Sequence, residues 1–210
     1  MLPSWRGPDT VGAAGGRLAR LDGPMTAESP RTLILVRHAK SAYPPGVADH
    51  QRPLAARGER EAALAGAWIA DRWTGIDRIL CSTAERTRQT AAVAGLAKGP
   101  TGAAGSTGPT GPTAPVTYTD DIYDAYPDEL EDLLRTIDPA ERTVVLIGHA
   151  PGLPGLAEDL AGSGSDQAAL SRMRSKFPTS AIAVLSVDGD WADVGRGATT
   201  ALVDFVVPRS

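Results

Sequence analysis

The chain has 210 residues, with 21 Lys and Arg against 25 Asp and Glu and a net charge of −4. At ~150 residues per domain that is one domain, two at most, and a non-specific nucleic-acid binder would normally be basic. A single cysteine excludes an intrachain disulfide and a Cys-based zinc cluster, and His38, His50 and His149 are too scattered for a structural metal site. No apolar run approaches the ~18 residues of a membrane span, and the N-terminus lacks the apolar core of a signal peptide. The expectation is a soluble cytoplasmic protein with no nucleic-acid or membrane partner.

Glycine and proline are unevenly placed. Nine of them fall in residues 1–30 and nine in residues 98–115 (KGPTGAAGSTGPTGPTAP). Residues 1–30 show neither helical nor strand period and read as a disordered extension, with Met25 a candidate start just before the first apolar run. Residues 98–115 read as a flexible insertion, which costs little extra closure entropy; two GPT triplets cannot make a collagen helix. The domain is therefore 31–210, and a core of that size buries ~70% of its unfolded surface and folds alone.

Within the domain, strand and helix signals alternate. Thr32–Val36 (TLILV) is a short apolar run suited to a buried parallel strand. Gly58–Trp73 is helical, since Ala65, Trp68, Ile69 and Trp73 fall on one face. Arg78–Cys81 reads as a strand. Glu85–Ala97 reads as a helix opened by Ser82-Thr83-Ala84-Glu85 with capping-box spacing. Val116–Tyr118 is a weak strand and Asp128–Ile137 a helix ended by Pro139. Thr143–Ile147 (TVVLI) is a strong buried strand, followed by a helix over Gly152–Leu160 with Pro151 near its start. Ala181–Val187 and Leu202–Val207 are late strands. The pattern predicts an α/β three-layer sandwich around a mostly parallel sheet.

Three strand-to-helix junctions carry the chemistry: Arg37-His38-Ala39-Lys40-Ser41, Cys81-Ser82-Thr83-Ala84-Glu85-Arg86, and Gly148-His149-Ala150-Pro151-Gly152. Ligands of an open α/β sheet sit outside the carboxyl ends of its strands, where these junctions bring two imidazoles and two guanidiniums to one spot. That set suits phosphoryl transfer through histidine. Arginine grips phosphate oxygens with a planar fork. Arg86 falls in the first turn of a helix, whose positive end favours anions. A neutral imidazole is a competent nucleophile at pH 7.

VRHAKS, RPLAARGEREA, STAERTRQTA and VLIGHAPGL together resemble the histidine phosphatase superfamily, and most of all its small SixA-type phosphohistidine phosphatases. The resemblance covers about residues 31–207 apart from the insertion. It implies a phosphoglycerate mutase-like fold, His38 as the phosphorylated nucleophile, Arg37, Arg86 and His149 completing the phosphate pocket, and no metal or cofactor. One departure stands out. Many members carry a glutamate general acid where this chain reads Thr119-Asp120-Asp121-Ile122-Tyr123-Asp124. Asp120 or Asp121 takes that role, Asp120 being the candidate, or no acid is needed. A phosphoramidate nitrogen can leave as neutral imidazole, which favours phosphohistidine over phosphate esters.

The remaining residues read more plainly. Arg52 and Arg57 are structural, His50 lies in a polar loop, and Lys40 and Ser41 are open for lining the pocket. Cys81 is a buried small residue. The cysteine phosphatases separate a Cys and an Arg by the five residues of a phosphate loop, whereas here Arg86 follows Cys81 after only four and Thr87 stands where the Arg would fall, and a thiolate nucleophile is disfavoured. The expected substrate is a phosphohistidine-bearing phosphoprotein. The alternatives are a small phosphorylated metabolite, more weakly a mutase reaction, or a non-catalytic module that binds phospho-groups.

Overall fold

The computed structural model describes residues 29–97 and 114–209. Most of the expected extension and of the expected insertion lies outside the described residues. Six strands form one sheet: β1 (Arg31–Arg37), β2 (Arg78–Ser82), β3 (Val116–Thr119), β4 (Thr143–Gly148), β5 (Ile182–Asp188) and β6 (Thr199–Val206), in the order β3-β2-β4-β1-β5-β6. β3, β2, β4 and β1 run parallel, and β5 runs against both of its neighbours. The sheet is therefore mostly parallel, as expected.

Both sheet faces are covered, because the central strands are continuously apolar over Leu33–Val36 of β1 and Val144–Ile147 of β4. Side chains of a strand alternate between faces. Leu33 and Leu35 of β1, with Val144 and Leu146 of β4, pack on the face covered by α3 (Pro127–Leu134), α4 (Gly152–Asp159) and α5 (Gln167–Ser175). Ile34 and Val36, with Val145 and Ile147, pack on the opposite face against α1 (Ala56–Ala70) and α2 (Glu85–Val93). Helix, sheet and helix make three layers. At the edge away from the site, Asp77 ties the starts of β2 and β4 together by accepting from the backbone N–H groups of Arg142 (2.7 Å) and Thr143 (2.8 Å).

Besides shifts of one to three residues at the ends of α1, α3 and β6, the structure departs from the sequence reading at three places. α2 stops at Val93 rather than Ala97, because the chain turns at Gly95 with φ +69°. The Ser82 capping box does not form. Ser82 stays in β2, Ala84 occupies the cap position without a side-chain bond, and the Ser82 hydroxyl turns instead toward His149. Helix α5 had no counterpart in the sequence reading. Its N-cap is Asp166, which accepts from Ala169 N–H at 2.6 Å.

Candidate active site

β2, β4 and β1 are neighbours and parallel, so their carboxyl ends open on one edge of the sheet. The ladder between β1 and β4 extends one residue further, with His38 N–H donating to Gly148 C=O at 3.0 Å. That bond places His38 beside the residue that follows Gly148. The His38 and His149 rings stand 5.1 Å apart between centroids, tilted by 53°. From the other side, Ser180 clamps the same backbone: its N–H is shared between the Arg37 and His38 carbonyls at 3.2 Å each. Ser180 is fully buried with φ +62°, a left-handed conformation uncommon outside glycine.

His38 is buried, and its Nδ1 lies 2.7 Å from the Ala39 carbonyl oxygen. A carbonyl only accepts, so Nδ1 carries the proton and Nε2 keeps its lone pair. Burial, assisted by the charges of Arg86, Arg37 and Arg52, lowers the His38 pKa to about 4, against the opposing bond to Ala39. The ring is neutral at pH 7 with one nucleophilic nitrogen. His149 is also buried. Its Nε2 lies 2.9 Å from Ser82 Oγ, and its Nδ1 is buried without a partner. Burial, followed by the influence of His38 and Arg86, pushes the His149 pKa down to about 3.

Arg37 and Arg86 both bring positive charge to His38 and His149. Arg37 donates from Nη1 to Phe177 C=O at 2.7 Å, while its Nε is buried and unpartnered. Burial lowers its pKa from the ordinary arginine value. Arg86, in the first turn of α2, is buried; it donates from Nη1 to Asp49 C=O at 2.7 Å and lies 3.1 Å from the Asp49 carboxylate through Nη2. The unpartnered Arg37 Nε and His149 Nδ1 are buried polar groups that a phosphoryl group could satisfy.

Asp49 was not singled out in the sequence. Its carboxylate accepts from Tyr123 OH (2.8 Å) and Arg52 Nη1 (2.5 Å) besides facing Arg86. These partners, Tyr123 first, lower its pKa to about 2. Tyr123 in turn stands edge-on to His149, 5.4 Å between ring centroids. The signal available was Asp49 three residues before Arg52, an ion-pair spacing for one helical turn. Arg52 is more than structural filler, since it also donates to Ser41 Oγ (2.6 Å) and Ala42 C=O (3.0 Å), stacks 3.4 Å from the centre of the Tyr43 ring and contributes positive charge near His38.

The other candidates lie further out. Asp120 is exposed on the rim, where Thr83 Oγ1 donates to it, and it lies 3.9 Å from His50 Nε2. His50 donates from Nε2 to Thr83 Oγ1 at 2.9 Å, since the Thr83 proton goes to Asp120. Lys40 is exposed with its Nζ 5.6 Å from the centre of the Tyr43 ring. Arg57 pairs with Glu61 within α1 at 2.7 Å. Cys81 is fully buried, and burial pushes its thiol up to about 12, so it is protonated at neutral pH. No group of three or more His, Cys, Asp or Glu among the described residues could hold a metal ion, and no helix among them is long and apolar enough to cross a membrane.

Residues 33–103 match the family model of the histidine phosphatase superfamily (branch 1). An uncharacterized protein of Mycobacterium tuberculosis is 46% identical over 175 residues, which is 83% of this chain and 100% of that protein. Among solved structures, the protein of Nakamurella multipartitia assigned as the phosphohistidine phosphatase SixA is 32% identical with a TM-score of 0.71, covering 86% of this chain and 98% of that one. The corresponding SixA protein of Agrobacterium tumefaciens is 29% identical with a TM-score of 0.65, covering 85% of this chain and 99% of that one. The shared architecture is the phosphoglycerate mutase-like α/β sandwich that the motifs implied. The chain belongs to the histidine phosphatase superfamily and is a SixA-like phosphatase.

Proposed function

We propose that this phosphatase hydrolyses phosphohistidine on a phosphoprotein, through a covalent phospho-His38 intermediate and without a metal. The observation that carries the reading is the bond from His38 Nδ1 to Ala39 C=O, which leaves Nε2 as a neutral nucleophile inside a ring of guanidiniums. Nε2 attacks phosphorus in line. The new P–N bond forms as the substrate P–N bond breaks, and the leaving imidazole departs neutral once its ring carries a proton. Arg37, Arg86 and His149 hold the equatorial oxygens, where charge spreads during transfer. Water then attacks phospho-His38, releasing inorganic phosphate and returning the free imidazole. The guanidiniums supply the positive charge that a metal would otherwise provide.

A second reading, hydrolysis of small phosphate esters, is favoured by the exposed Asp120 carboxyl at the rim. An alkoxide leaving group needs a proton from such an acid, whereas a protonated imidazole does not.

The test is trapping. Brief incubation with a phosphohistidine peptide in EDTA, followed by denaturation in alkali, leaves acid-labile phosphate on the wild-type protein and none on folded His38→Ala. Running p-nitrophenyl phosphate alongside separates the two substrate classes. Normal turnover by folded His38→Ala contradicts the mechanism, and activity that is lost in EDTA and restored by Mg²⁺ or Zn²⁺ contradicts metal independence.

A further inference from the structure

Ser82 is fully buried at the end of β2, and its hydroxyl sits between two partners. It accepts from Ala84 N–H at 3.3 Å and lies 2.9 Å from His149 Nε2. Neither contact is explained by helix capping, since Ala84 rather than Ser82 occupies the cap position of α2. On its other side the His149 ring is hemmed by Tyr123, edge-on, and by the tilted His38 ring. Its Nδ1 is buried and has no partner in the protein.

A neutral imidazole carries one proton, and the bond made by one nitrogen decides which nitrogen holds it. The Ser82 oxygen already accepts from Ala84, and its own hydrogen is free to donate. If that hydrogen goes to Nε2, the ring proton sits on Nδ1. In the opposite arrangement Nδ1 would turn a lone pair toward phosphoryl oxygens, which are themselves acceptors.

We infer that Ser82 is a positioning residue that donates to His149 Nε2, fixing the Nδ1–H tautomer so that the unpartnered Nδ1–H is the group offered to a phosphoryl oxygen. This rests on the proposed placement of His149 in the phosphate pocket. The low pKa of His149 agrees with it, because only a neutral ring has a tautomer to fix. The pair is a mirror of His38 and Ala39. There a carbonyl acceptor puts the proton on Nδ1 and leaves Nε2 bare for attack, whereas here a hydroxyl donor caps Nε2 and leaves Nδ1–H for binding.

The experiment is ¹⁵N NMR of the histidine side chains in the wild-type protein at pH 7, with and without inorganic phosphate, alongside kinetics of Ser82→Ala and Ser82→Thr. The expected wild-type spectrum shows His149 with a protonated Nδ1 and an unprotonated Nε2, and added phosphate shifts the Nδ1 signal. Ser82→Ala should show mixed tautomers and lose on the order of tenfold in kcat with KM little changed, because a mis-set tautomer removes a transition-state contact rather than uniform binding. Ser82→Thr, which keeps the hydroxyl, should recover most of the loss. A wild-type His149 protonated on Nε2 overturns the inference outright, and so does a folded Ser82→Ala with wild-type tautomer and kcat. The wild-type spectrum decides the matter even if Ser82→Ala fails to fold. It is also independent of turnover, so a failure here is distinct from a failure of the phosphohistidine reading, which His38→Ala tests.

Discussion

Asp49 and Arg86 hold each other twice: the Arg86 guanidinium donates to the Asp49 carbonyl at 2.7 Å and faces the Asp49 carboxylate at 3.1 Å. The side chain proposed to clamp phosphate is thus already engaged by an internal anion, one that Arg52 and Tyr123 also hold. An incoming phosphoryl group has to share or displace it. Asp49→Asn removes the negative charge while an amide oxygen can still accept from Tyr123. The expected outcome is several-fold tighter competitive inhibition by inorganic phosphate, with the gain shrinking at high salt because the carboxylate is half-exposed. Unchanged or weaker inhibition means Asp49 orients Arg86 rather than competing for it.

The two buried histidines set the pH behaviour. Their folded pKa values, about 4 for His38 and about 3 for His149, lie below the ordinary histidine value of 6.5. Between those limits the unfolded chain binds protons that the folded chain does not. Stability is therefore complete above pH 6.5 and falls as the pH drops through that window, down to the folded values. Catalysis follows the folded values, because the nucleophile stays neutral until pH about 4. The acid limb of kcat/KM, corrected for substrate ionisation by comparing two substrates, should lie near pH 4. A limb near 6.5 shared by both substrates contradicts a pre-neutralised His38.

Gly58 supports the catalytic loop from below. A Cβ at this position would lie 2.1 Å from the Lys40 carbonyl oxygen, two residues beyond His38, and that same oxygen accepts from Ala55 N–H at 2.9 Å. The glycine of the Arg57-Gly58 pair is what lets α1 start directly against the backbone of this loop. Gly58→Ala must push that backbone away, at a cost of about 1–3 kcal/mol for overpacking, and kcat/KM should fall with Tm. Gly75→Ala, where the added Cβ meets nothing within 4 Å, is the control and should be nearly neutral. A Gly58→Ala protein with wild-type Tm and rate removes this account of the motif.

What could be read from the sequence follows from how locally each feature is determined. After their opening threonines, TLILV and TVVLI are apolar on every residue, so β1 and β4 announce themselves as doubly buried strands, and the residues that follow them fall at one sheet edge. α5 was hidden because its buried residues, Ala169, Leu170 and Met173, are interleaved with Arg172 and Arg174, and only its Asp166 cap marked a start. Ser82 had a locally plausible partner three residues on, and a histidine 67 positions away won instead. Tyr123 and Asp49 meet across 74 positions. No spacing rule reaches that far, so the hub that organises the arginines emerges only from the fold.

Arg86→Lys should cost far more than its conserved charge suggests. Arg86 is buried and uses two different nitrogens at once, Nη1 on a carbonyl and Nη2 on a carboxylate. A lysine has one ammonium on a flexible stem and cannot present a planar fork in that place. The oxygens it is proposed to hold gain charge during transfer, so the loss falls on the rate as well as on binding. Removing one preorganised donor costs on the order of 10²–10³ in rate. Because lysine keeps the charge, the expected loss is smaller than that, at least about tenfold in kcat/KM, with little change in Tm. The control is Arg88→Lys, two residues along the same helix, where the guanidinium lies 5.3 Å from the centre of the Tyr118 ring. That contact is a partly exposed cation–π pair of about 0.5–1 kcal/mol, which lysine can largely reproduce, so activity should be unaffected. If Arg88→Lys proves damaging and Arg86→Lys silent, the phosphate clamp belongs to the other arginine.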